Sequence, residues 1–176
     1  FLATPYKKNL LFYFLSVALP RYKEQKQIKP AIRMKFKNIE RSISDAILEF
    51  SRETPYEGNY NIKDIDVCRD ILDSKIWTDN APFIYEIYGI NISYLLVIND
   101  KKNAISKEID EIIIGYKTSI TSEQLVTLEK IRNAQIFHFV SMWSQFPYKN
   151  LDNPDGKKHM IDMFCDLLIL INSLSK

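Results

Sequence analysis

Six apolar residues, Ile32, Phe36, Ile39, Ile43, Ile47 and Phe50, step along the chain by 4, 3, 4, 4 and 3. That spacing lines one face of an α-helix and no face of a strand. It recurs wherever apolar residues are dense: Leu125, Leu128, Ile131, Phe139, Met142, Trp143 and Phe146 form a second stripe. Clean two-residue alternation is hard to find, and glycine is limited to 4 of 176 residues. The expected fold class is all-α, a single helical bundle of about five main helices. Apolar residues make up 46% of the chain, enough for a real core in one domain.

Five helices are predicted. The first spans about 30–52, with Pro30 at its start, where a missing N–H costs nothing. The second spans about 62–76, capped by Asn61 with Asp64 completing a box-like start. The third spans about 82–116, apolar on nearly all sides over "FIYEIYGINISYLLVI" and expected to bend or break at "NDKKN", residues 99–103. The fourth spans about 122–146 behind a Thr121/Gln124 capping box. The fifth starts at Asn153–Pro154, ends near Leu174 and carries "MFCDLLILI", apolar at eight of nine positions. The apolar halves of the third and fifth helices are expected at the centre.

Charge divides the chain at its N-terminal end. Residues 1–37 hold nine Lys or Arg and one acid, a net of +8, whereas the other 139 residues are net −6. The run Leu10–Pro20 has no charge, and the seventeen residues after it carry Arg21, Lys23, Lys26, Lys29, Arg33, Lys35 and Lys37 against one acid. An apolar run followed by a basic block obeys the positive-inside rule and suits an anionic lipid surface. Residues 1–29 are therefore expected to be a membrane-proximal arm at the cytoplasmic face, and residues 30–176 a helical domain. Eleven residues cannot cross a bilayer, which needs about 20. The chain begins at Phe1 and not Met, so a fragment is expected; only if upstream residues continued the apolar run would Leu10–Leu19 be the end of a transmembrane helix. Lys7 and Lys8, upstream of the run, fit an interfacial or re-entrant helix. Two other arrangements stay open: a helix packed on the bundle, and a signal peptide, against which the lack of a small-residue cleavage site and Pro20 both argue.

This layout resembles uncharacterised bacterial proteins that join a short membrane segment to a small helical cytosolic domain; the resemblance implies no activity. Its partners would be an anionic membrane surface and a protein partner or second copy. A second resemblance lies in "RNAQIFH", residues 132–138. It is similar to the motif of HEPN-type ribonucleases, all-helical dimers that cleave RNA without a metal. That resemblance implies catalytic roles for Arg132, Asn133 and His138, with nucleic acid as the substrate: Arg132 for phosphate charge, His138 for proton movement and Asn133 for orientation. In an unbroken helix Arg132 and His138 lie about 120° apart and do not converge. The same wheel puts Arg132 about 40° from Leu128, inside the apolar stripe. A buried arginine paired with Asp110, Glu111, Asp70 or Asp166 is the favoured expectation. Phe137 and Val126 fall on the opposite side.

The rest of the sequence offers little chemistry. Cys68 and Cys165 are expected as reduced buried thiols, with a disulfide between them left open. His138 and His159 stand apart, no paired Cys/His spacing exists, and neither metal nor cofactor is expected. The acidic pairs Glu108/Glu111 and Asp64/Asp66 read as solvated helix faces. Ten Tyr and ten Phe read as core and interface packing more readily than as a base-stacking surface, since basic residues are not interleaved with them.

Overall fold

A computed structural model describes residues 4–79, 81, 92–145 and 153–174; within them the side chains at 4–8, 20, 21, 23–25, 144 and 145 are not described. The fold is all-α. The chain order is α1 (Thr4–Tyr13), a π-helical turn (Phe14–Ala18), α2 (Leu19–Ser51), α3 (Ile65–Asp73), α4 (Tyr94–Tyr116), α5 (Ser122–Arg132), α6 (Gln135–Gln145) and α7 (Pro154–Leu174). The expected helix over 82–91 lies outside the described residues.

α1, the π-turn and α2 follow one another without a break, 48 residues in all, about 72 Å at 1.5 Å per residue. The expected helix start at Pro30 is thus corrected, because Pro30 lies inside α2. An internal proline leaves the carbonyl four residues back without its N–H partner and costs roughly 3 kcal/mol. Here Lys26 and Pro30 are both exposed, so water can serve that carbonyl. The π-turn sits just ahead of Pro20, where Leu19 N–H donates to the Phe14 carbonyl. Ser16 Oγ donates to the Phe12 carbonyl in the same turn.

The α2 stripe predicted from spacing is buried along its whole length, from Ile32 to Phe50, and packs chiefly against α4. α7 lies across α3 and α5 and also touches α2 and α6. Its residues Met160, Ile161, Met163, Phe164, Cys165, Leu167, Leu168 and Ile171 are all buried. Centrality is therefore shared by α2, the described part of α4, and α7. At one end Phe50, Trp77, Tyr94 and Phe164 form an aromatic cluster. Phe50 stands 5.1 Å from Trp77, edge to face, and 4.6 Å from Tyr94, while Trp77 meets Phe164 at 6.2 Å. Trp77 Nε1 donates to the Leu72 carbonyl at 3.0 Å, so its one polar atom is satisfied.

Three helix boundaries differ from expectation. The α3 cap is Asp64, whose carboxylate accepts from Val67 N–H; Asn61 instead accepts from Lys63 N–H in the preceding turn. α4 runs unbroken through residues 99–103. Ile98, Ile105, Ile109 and Ile112 step by 7, 4 and 3, so "NDKKN" sits between two core positions on one face. Lys101 reaches Asp45 at 3.9 Å and Lys102 donates to Ser141 Oγ at 2.5 Å, which gives two of its charges partners. The predicted fourth helix is split at Asn133–Ala134 into α5 and α6. The break re-phases the second half: Ile136, Phe137 and Val140 are buried, while Met142 is exposed. Phe137, expected to face away, is thereby turned into the core. The Thr121/Gln124 capping box forms as expected.

Glu49 gives the core one titratable site. Its side chain is fully buried, 3.4 Å from Arg52 Nε. Burial pushes its carboxyl above the usual range, more than Arg52 and Lys101 pull it down. A carboxyl raised in the folded state adds its stability in acid, and that stability is lost as pH rises through the raised value. Glu49→Gln should therefore gain stability over the parent protein at about pH 8 and less at about pH 4. Urea unfolding at both pH values measures this, and an equal difference at the two would contradict it.

Candidate functional site

The arm is built by α1, the π-turn and the first part of α2. Among the described residues its contacts run chiefly between these three consecutive pieces until α2 reaches the bundle. Leu10, Leu11, Phe12, Tyr13, Phe14 and Leu15 are exposed in succession, Leu10 to 71% and Phe12 to 73%. Six consecutive helical residues point in every direction round the axis. The stretch Leu10–Leu15 is thus apolar on all sides of the helix and exposed, and among the described residues it packs on no bundle helix. Among the described residues no helix is long and apolar enough to cross a membrane.

The basic residues divide once the helix forms. Lys26, Lys29, Arg33 and Lys37 are exposed, and none is ion-paired among the described residues. The side chains of Arg21 and Lys23 lie outside the described residues. Lys35 is oriented differently from these four. It turns toward α4, where it pairs with Glu108 at 3.0 Å and with Glu111, and Asn38 donates to Glu108 at 3.1 Å. Hydrogen bonds to Glu111 and Glu108 hold the Lys35 ammonium above its usual range, and Lys35 holds Glu111 below the usual carboxylate range. Glu108 and Glu111 therefore join α2 to α4 and are not a merely solvated pair, and Lys35 makes its ion pairs within the bundle.

A groove of about 730 Å³ lies beside this basic face. Lys29, Arg33 and Lys37 of α2 form one wall, and Lys63, from the turn before α3, contributes from the second. Lys63 is exposed and lies outside the basic block, so linear charge density gave no signal for it. Ile32, Phe36 and Leu174, all buried, underlie the groove.

The Arg132 segment is arranged otherwise than the sequence suggested. Arg132 ends α5 and its side chain is 40% exposed, paired with Asp110 of α4 at 2.7 Å. The partner is one of those expected; the burial is not, because the helix ends at this residue and releases it from the stripe. Asn133 sits in the break, where its side-chain amide and backbone N–H both donate to the Glu129 carbonyl. His138 is exposed on α6. Arg132 and Asn133 thus both make contacts that the fold itself uses. A solvent-exposed pair contributes little, so Arg132→Ala should cost no more than about 1 kcal/mol. Chemical denaturation reads this directly; a loss of 3 kcal/mol or more would mean a buried role.

Cys68 and Cys165 are free and buried, and burial pushes the Cys68 thiol up to about 12. Such a thiol is a packing group and not a nucleophile at neutral pH. Among the described residues no three His, Cys, Asp or Glu side chains are grouped to hold a metal.

Set beside known proteins, the chain matches no family model, no curated protein and no solved structure.

Proposed function

We propose that this chain is a membrane-proximal helical domain, an interaction or regulatory module without catalytic activity of its own. It is held at the cytoplasmic face by the apolar end of its long N-terminal helix. The observation that carries this reading is the run Leu10–Leu15, exposed on every side of a helix that projects beyond the bundle. A helix apolar all round is stable when something apolar surrounds it. Lipid is the surround favoured here, because the same rigid helix continues directly into Lys26, Lys29, Arg33 and Lys37. Each cation near an anionic surface adds about 1 kcal/mol. Leu19 and Lys26 are seven residues apart, about 10 Å along the axis, so the basic face begins just outside the lipid once the apolar run is buried.

Vesicle sedimentation tests the reading. Binding should be stronger to vesicles with anionic lipid than to neutral ones, and should weaken as salt rises. Binding indifferent to lipid charge and unchanged by polar substitutions at Leu11, Phe12 and Leu15 would contradict it. The ribonuclease reading of Arg132, Asn133 and His138 gains no support from the geometry, since Arg132 would first have to leave Asp110. RNA cleavage lost in both Arg132→Ala and His138→Ala, with folding intact, would revive it.

A further inference from the structure

We propose that the groove between α2 and the turn before α3 is a binding site for a multiply phosphorylated anion. Lys29, Arg33 and Lys37 recur every four residues along one face of α2, and Lys63 faces the same groove from a different segment. Against these four cations the lining holds one carboxylate, Glu40, leaving a net charge of +3. Like charges four apart on a helix repel one another. None of the four is ion-paired among the described residues, so Glu40 offsets that repulsion only in part. A clustered anion would offset it at all four positions. The buried floor of Ile32, Phe36 and Leu174 fixes the walls, which limits the ordering cost of binding. Ser119, in the turn between α4 and α5, and Gln124, in the first turn of α5, add neutral hydrogen-bonding groups to the rim.

Phosphate clusters fit this lining better than a nucleic-acid strand does. A single-stranded nucleic acid needs exposed aromatic faces for its bases, and the one aromatic residue of the lining, Phe36, is 8% exposed. The site does not depend on membrane attachment. Two sources can supply its ligand: a soluble polyphosphate, or a lipid headgroup carrying several phosphates.

Titration calorimetry of the full chain with inositol hexakisphosphate tests the site without lipid. One-to-one saturable binding is expected, weakened at least tenfold by Lys63→Glu and by Arg33→Glu, retained in Lys63→Arg, and changed less than threefold by Lys130→Glu, a control outside this groove. Vesicles carrying a bisphosphorylated inositol lipid, compared with phosphatidylserine vesicles of equal total charge, then identify the source. A preference for the inositol lipid that is lost in Lys63→Glu points to the headgroup; no preference, with calorimetric binding intact, points to the soluble anion. The proposal is overturned if inositol hexakisphosphate fails to saturate. It is equally overturned if Lys63→Glu and Lys130→Glu weaken binding alike, or if an RNA oligomer binds as tightly and ignores Lys63→Glu. Loss of all vesicle binding with calorimetric binding preserved would instead count against the membrane reading alone.

Discussion

Trp77→Ala should destabilise the protein by about 3–5 kcal/mol, the cost of emptying a large aromatic site in a packed core. For a chain of this size that lowers the melting temperature by roughly 6–20 °C. Trp77 is fully buried and ties three parts of the fold together. Its ring meets Phe50 of α2 and Phe164 of α7, and its carbonyl accepts from Leu95 N–H near the start of α4 at 3.2 Å. Removing the ring opens a void between helices that cannot easily close, because the backbone around it is pinned by Tyr94 N–H to Asp79 and Ala81 N–H to Ile92. Trp77→Phe should cost less, through the lost Nε1–Leu72 hydrogen bond and a smaller cavity. A Trp77→Ala protein within 1 kcal/mol of its parent would mean that the aromatic cluster is not part of the core.

The second large effect concerns the arm. Replacing Leu11, Phe12 and Leu15 together by Asn should leave the bundle folded and abolish vesicle binding. Burying each such side chain contributes roughly 1.5–3 kcal/mol, so three losses amount to at least about 4 kcal/mol. That is close to a thousandfold in partitioning. Replacing Lys26, Lys29, Arg33 and Lys37 by Gln should weaken binding by a similar factor, about 1 kcal/mol each, but only on anionic vesicles. The two sets separate insertion from surface attraction: the apolar set acts on neutral and anionic lipid alike, and the basic set fades at high salt. A melting transition unchanged by the apolar set is part of the expectation, since these side chains are exposed.

The sequence revealed stripes and ends more readily than breaks. The α2 face was legible because its 3–4 spacing never lapses between Ile32 and Phe50. α7 was legible because Asn153–Pro154 opens it and an apolar run fills it. The Thr121 capping box was legible as a local pattern that no tertiary contact overrides. Pro30 misled, because a proline that suits a helix start is also tolerated inside a helix whose freed carbonyl faces water. Asn133 misled in the opposite sense. A helix-compatible residue became a break because burying Ile136, Phe137 and Val140 requires a change of phase that one unbroken helix cannot supply. That break also moved Arg132 out of the apolar stripe, so pairing with one of four candidate acids was legible and its exposure was not. Lys35 and Lys63 exchanged roles for a related reason. Charge density along the chain put Lys35 with the basic block and overlooked Lys63, whereas the direction of each side chain is set by packing between helices distant in sequence.

Membrane insertion of the arm is most directly tested by a depth measurement. A fluorophore attached at Phe12→Cys, with Cys68 and Cys165 protected by burial, should be quenched by lipids carrying a nitroxide in the acyl chain and shielded from iodide once anionic vesicles are added. The same label at Met34→Cys, on the exposed side of α2, should show the reverse. A label at position 12 that stays open to iodide and blind to the nitroxide in the presence of vesicles would contradict insertion.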